Sequence, residues 1–187
     1  MKITDYHIDG VHVNHRGDWV FVTVETDAGI HGIGEMRAGK KYAPQIASAR
    51  KMLDHLIGRD PREIAAIYRE LHASARDRAD GFAISGIEPA LWDILGKSLD
   101  TPVYQLLGGS NSSEIRLYAN INRATTNRSP EGFAENATQA IRQGFDAIKL
   151  APFDNLPRDV DSAADAVDGI ACMAAVREAI GPEADLL

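Results

Sequence analysis

The chain has 187 residues, 44% of them hydrophobic and 25% charged, with a net charge of −7. This is the composition of an ordinary globular protein. It excludes a disordered chain and a collagen-like fibre, and no stretch nears the roughly 20 unbroken apolar residues of a spanning helix. The acidic balance argues against a general nucleic-acid binder, which needs a basic face for phosphates. Neither a nucleic acid nor a membrane is expected as a partner. The single cysteine, Cys172, permits no internal disulfide and fits a reducing compartment. The opening MKITDYHIDG carries charges and no apolar run, unlike a secretory signal, so the expected location is cytoplasmic.

Residues 3–13 alternate loosely, with Ile3, Ile8, Val11 and Val13 among polar neighbours. Residues 19–25, WVFVTVE, put Val20, Val22 and Val24 on one face, and residues 30–36 form a third short strand. Period two, β-branched enrichment and Asp/Gly punctuation predict a three-stranded antiparallel meander. Asn14, Gly17 and Asp18 supply its first turn. Gly29, Gly32 and Gly34 lack the spacing of a nucleotide loop and read as glycines for close strand packing or a bulge.

Helical spacing follows. Residues 44–57 repeat apolar side chains and stop at Gly58. Asp60-Pro61 reads as a cap with proline at the first helical position, leading into Ile64, Ile67, Tyr68 and Leu71. Residues 81–99 carry Ile84, Ile87, Leu91, Ile94 and Leu95, and Thr101-Pro102 ends that helix. Residues 106–109, LLGG, read as a short turn with a glycine stop.

After Ser110 the pattern changes. Strands are expected at 115–119 and 147–151, with a third starting near 185, and helices at 129–143 and 160–180. Strand–helix–strand units of this length imply parallel strands with right-handed crossovers. Residues 114–187 are far too few for a complete (β/α)₈ barrel of about 200–250 residues. The chain therefore reads as the front piece of something longer, ending inside an apolar run.

Residues 83–109, AISGIEPALWDILGKSLDTPVYQLLGG, resemble the closing helix and exit loop of a known capping domain. The domain is the N-terminal one of the mandelate racemase / muconate lactonizing enzyme group of the enolase superfamily. Ala90-Leu91-Trp92-Asp93, Gly96-Lys97, Pro102 and residues 106–109 carry the match. Residues 19–35 resemble that domain's hairpin, and Asp60-Pro61 its step between helices. The short preceding loop is similar to that of galactonate-dehydratase-like members. The resemblance implies an α+β capping domain over 1–112 and, over 113–187, the first βα units of a (β/α)₇β barrel that is incomplete here.

It also implies chemistry. The group abstracts the proton α to a carboxylate, with Mg²⁺ stabilising the enediolate and a Lys, His or Asp acting as base. The metal acids of the group stand on barrel strands three to five, so they are expected beyond Leu187 and no metal ligand is assigned in this chain. Asp185, at the start of a strand, is at the wrong end for chemistry.

Lys149, at the C-terminal end of the second barrel strand, is the catalytic candidate. Ala151 stands where some members carry a second lysine, which weakens a two-base racemase and favours an acid-sugar dehydratase. His15, Arg16, Arg37, Tyr42 and Asn120 are the substrate-binding candidates. The first four lie in loops that, in relatives, cover the barrel mouth. A cationic loop suits a small carboxylate or sugar-acid substrate. Asn122 and Asp154 are further positions that follow barrel strands. Asp93 and Lys97, four apart on a helix, read as a local ion pair.

The 187-residue chain alone is expected to be inactive, and the intact enzyme to be a homo-oligomer. The alternatives are a non-catalytic truncated product or capping-type binding module, and a racemase or cycloisomerase of the same superfamily.

Overall fold

A computed structural model describes residues 1–14, 17–38, 42–154, 156 and 163–187. The chain divides into two compact units, Met1–Asn111 and Ser112–Leu187.

The first unit opens with β1 (Ile3–Asn14), β2 (Gly17–Thr26) and β3 (His31–Met36), an antiparallel meander in the order β1-β2-β3. The alternation in β2 has its expected result: Val20, Val22 and Val24 are fully buried. They meet helices α1 (Ala43–Leu56), α2 (Ile64–Ser74) and α3 (Arg78–Ser98) in one core that includes Met36, Leu53, Ile67, Ile87 and Ile94. Burying each such side chain stabilises the fold by about 1.5–3 kcal/mol.

The paired glycines of β3 explain how α3 comes so close. A methyl on Gly34 would run into the carbonyl oxygen of Gly86 and reach within 3.0 Å of Ala90 N, and one on Gly32 would strike the carbonyl oxygen of Ala90. The packing reading of Gly32 and Gly34 therefore holds, whereas Gly29 has open space around it and serves the β2–β3 turn with φ of 70°. Asp93 and Lys97 pair at 2.8 Å as expected, and both also reach β3. Ile33 N donates to Asp93 Oδ2 at 2.9 Å, and Lys97 Nζ to the carbonyl of His31 at 2.8 Å.

Two helix starts of this unit differ from expectation, and in the second unit the helix expected over 160–180 begins only at Val167, after a 3₁₀ turn. Pro61 is not the first residue of α2, which begins three residues later. The Asp60 carboxylate binds the Arg62 guanidinium and backbone N–H instead of capping a helix. Helix α3 starts before Gly81 because Asp77 caps it, accepting from the N–H groups of Ala79 (2.8 Å) and Asp80 (3.0 Å). The short helix α4 (Val103–Leu106) ends the unit's regular structure, and Gly108 and Gly109 follow with positive φ.

The second unit holds a parallel sheet in the order β4-β5-β6: β4 (Ala119–Asn120), β5 (Ala147–Lys149) and β6 (Asp185–Leu186). Helix α5 (Pro130–Arg142) links β4 to β5. A 3₁₀ turn (Ala163–Ala166) and helix α6 (Val167–Ile180) precede β6. Ser129 caps α5 through Gly132 N at 3.2 Å, and Gly144, with φ of 94°, follows its end.

The strand expected at 115–119 pairs only from Ala119 onward. Ile115 and Leu117 are 83% and 67% exposed. They belong to the approach to an edge strand, where one side has no neighbour to supply a ladder. The helix faces of the sheet close on a small core of Ile121, Phe133, Ala137, Ile148, Leu150, Cys172 and Val176. Burial raises the Cys172 thiol pKa, which suits a packing role. No described helix is long and apolar enough to cross a membrane.

Candidate active site

Side chains alternate across a strand, so β5 sorts its own residues. Ile148 and Leu150 lie in the core with the helices, which sends Lys149 to the opposite face. Lys149 is the last residue of β5 and is exposed. Its register partner is Asn120, the last residue of β4. Paired positions on adjacent strands share a face, so the two candidates of this unit stand side by side at the C-terminal ends of parallel strands. The ladder continues through Ile121 N to the carbonyl of Lys149 (3.0 Å) and Leu150 N to that of Leu187 (3.1 Å).

The Lys149 ammonium lies 5.2 Å from the Tyr118 ring centroid and 3.5 Å from its hydroxyl oxygen. Tyr118 was not singled out from the sequence. Its signal was parity: it sits two residues before Asn120, on the same face. A cation held against an aromatic face on one side stays open to an anion on the other.

The acids divide between the two ends of the sheet. Asp185 stands at the start of β6, against Ala147, and is bound with Asp146 by Arg116. This is the end of the sheet away from Lys149. At the other end Asp154 accepts from Asn122 Nδ2 at 3.1 Å and meets Arg128 Nη2 at 3.4 Å. Among the described residues no three His, Cys, Asp or Glu side chains converge to hold a metal ion. With Asp154 and Asp185 both engaged by arginines, the described residues do not fit a Mg²⁺ site.

The remaining candidates belong to the first unit. Tyr42 donates its hydroxyl to Asp18 Oδ2 at 2.9 Å, and its ring hydroxyl fills the space beside Gly10, where an added methyl would meet it at 2.7 Å. His12 Nδ1 lies 2.8 Å from Asp18 Oδ1. The Tyr42 hydroxyl and then His12 lower the Asp18 pKa, and the same bond raises that of Tyr42. Arg37 is exposed, with its guanidinium 5.3 Å from the Phe82 ring centroid, and Arg78 lies at the same distance from that ring. His15 and Arg16 lie outside the described residues.

A family model, the N-terminal domain of mandelate racemase / muconate lactonizing enzyme, matches residues 6–108. The chain belongs to this family. D-gluconate dehydratase of Thermoproteus tenax is 33% identical over 177 residues, covering 90% of this chain and 34% of the relative. D-galactonate dehydratase of Variovorax paradoxus (strain S110) is 32% identical over 193 residues, covering 99% of this chain and 47% of the relative.

A solved mandelate racemase/muconate lactonizing enzyme from Sulfitobacter sp superposes with a TM-score of 0.86 at 30% identity, covering 100% of this chain and 52% of that one. The chain thus spans about half or less of the length of these family members. The α+β first unit and the partial parallel sheet are the family's architecture over that span.

Proposed function

We propose that this chain is the N-terminal part of a Mg²⁺-dependent acid-sugar dehydratase. Residues 1–112 form its capping domain and 113–187 the opening of its barrel. The observation that carries the reading is the placement of Lys149 beside Asn120 at the C-terminal strand ends, on the face turned from the helices. In a parallel α/β barrel this is the end where chemistry happens. The dehydratase relatives, acting on gluconate and galactonate, support a sugar-acid substrate.

Dehydration of such an acid removes the proton on the carbon next to the carboxylate. The C–H electron pair becomes an enediolate, and the β-hydroxyl leaves as water after taking a proton. The resulting enol tautomerises to a 2-oxo-3-deoxy acid. Lys149 would serve this reaction by binding and orienting the substrate carboxylate, its ammonium steadied by Tyr118. Asn120 would hydrogen-bond a neighbouring substrate oxygen, and His15, Arg16, Arg37 and Tyr42 are the further residues proposed to bind substrate. Mg²⁺ would be the enzyme's metal, its ligands not among the described residues.

Homo-oligomerisation and a cytoplasmic location complete the proposal, supported by the resemblance to the group and by the lone, buried cysteine. The test is to incubate the protein, as its source produces it, with Mg²⁺ and a panel of aldonates. Formation of a 2-oxo-3-deoxy acid is expected. Interconversion of C2 epimers without loss of water would replace the dehydratase with a racemase.

A further inference from the structure

The loop between β4 and α5 carries an arginine that the sequence pattern did not single out. Arg128 Nη1 donates to the backbone carbonyl of Asn122 (3.1 Å) and to Asn122 Oδ1 (2.8 Å). Its Nη2 donates to the carbonyl of Ala151 at 2.7 Å and faces Asp154 Oδ2 at 3.4 Å. The guanidinium carbon lies 4.8 Å from the Phe133 ring centroid. Asn122 Oδ1 also accepts from Ala151 N at 3.3 Å. One planar cation, half-buried against a core phenylalanine, thus joins the segments that leave the C-terminal ends of β4 and β5.

The choice of acceptors is informative. A surface ion pair would need only Asp154, whereas this guanidinium makes its shortest bonds to the carbonyl of Ala151 and to Asn122 Oδ1. Ala151 is two residues after Lys149, and Asn122 is two residues after Asn120. The fork therefore ties together the residues that follow the two candidate side chains. A lysine could not replace it, because an ammonium lacks the fixed, planar spread of donors.

We infer that Arg128 is a positioning residue for Lys149, holding residues 150–154 to the β4–α5 loop so that the ammonium is presented in register with Asn120. This rests on the role proposed for Lys149. Without the fork the strand end is free to shift, and a bound carboxylate is no longer held in reacting geometry.

The test compares wild-type protein with Arg128→Met, which keeps apolar contact with Phe133, and with Arg128→Lys and Asn122→Ala. The first readout needs no substrate. Amide exchange at Ala151 is expected to accelerate about tenfold or more in Arg128→Met, with the Leu187 amide, bonded to Ile148 on the far side of β5, changing less than about twofold.

The second readout is turnover. kcat is expected to fall about tenfold or more, Arg128→Lys not to restore it, and Arg128→Met to add less than about twofold to the loss in a Lys149→Met background. Independent, multiplying losses or full rescue by lysine would overturn the inference, as would unchanged exchange at Ala151. If the wild-type protein turned over no aldonate, the proposed function would fall, and the exchange result would decide the positioning role by itself. If Arg128→Met does not fold, Asn122→Ala, which removes the shared acceptor, takes its place in both readouts.

Discussion

The two units bury their sheets in different ways. In the first, strands of 12, 10 and 6 residues form long ladders, and α3 presses its glycine-relieved backbone directly on β3. In the second, strands of 2, 3 and 2 residues carry the parallel sheet. One face is packed by α5 and α6, while Tyr118, Asn120 and Lys149 stay exposed on the strand-end side. The first unit spends its residues on a closed core. The second keeps a polar, cation-bearing edge that its own short core does not cover. The contrast is in keeping with the proposal that the first unit is a capping domain and the second the opening of a barrel.

Four changes sharpen or break that contrast. The largest effect is expected from Phe133→Ala. Phe133 is fully buried in a small core and also supports Arg128, so the second unit should lose about 3–5 kcal/mol, read from denaturant dependence of exchange at the β5 amides. Next comes Gly34→Ala in the first unit. The added methyl meets backbone rather than a flexible side chain, and a loss of about 2–3 kcal/mol is expected in urea unfolding. A neutral result would mean that the close approach of α3 is not required. Asp77→Ala removes the cap of α3 and should cost about 1 kcal/mol, with Asp77→Asn restoring most of it.

The smallest effect is electrostatic. The depressed pKa of Asp18 means that its bonds to Tyr42 and His12 stabilise the fold above the ordinary carboxylate pKa, near 3.9. That contribution is lost as the pH falls through the lower folded value. Tyr42→Phe should move the Asp18 carboxyl upward in an NMR titration. An unmoved carboxyl would show that the hydroxyl bond is not maintained in solution.

Much of this was legible in the sequence, and the failures have physical causes. The alternation of Val20, Val22 and Val24, the Ser129-Pro130 start of α5 and the Asp93–Lys97 spacing each depend on neighbours within a few residues. The structure follows them. Asp60-Pro61 carried the same local signal for a cap, but Arg62 captured the carboxylate first. The strand expected at 115–119 was read from apolar content, yet ladder formation depends on a partner, and an edge supplies only one side.

The position of Lys149 at a strand end was legible, and the structure places it last in β5. Parity could have put Tyr118 on the face of Asn120, but its contact with Lys149, 31 residues away, and that of Arg128 with Ala151, 23 residues away, are encoded by no local pattern. The partnership of Tyr42 with Asp18, 24 residues apart, was hidden for the same reason.

The central claim is that Lys149 serves α-proton chemistry on a sugar acid. Its most direct test is turnover of gluconate and galactonate in D₂O with Mg²⁺, comparing the protein as its source produces it with its Lys149→Met variant. The account predicts a 2-oxo-3-deoxy acid carrying one solvent deuteron at C3, and a fall in kcat/KM of about a hundredfold in the variant, the size expected for losing a charged carboxylate contact. Full activity in Lys149→Met, or no dehydration of any aldonate by the wild type, would contradict it.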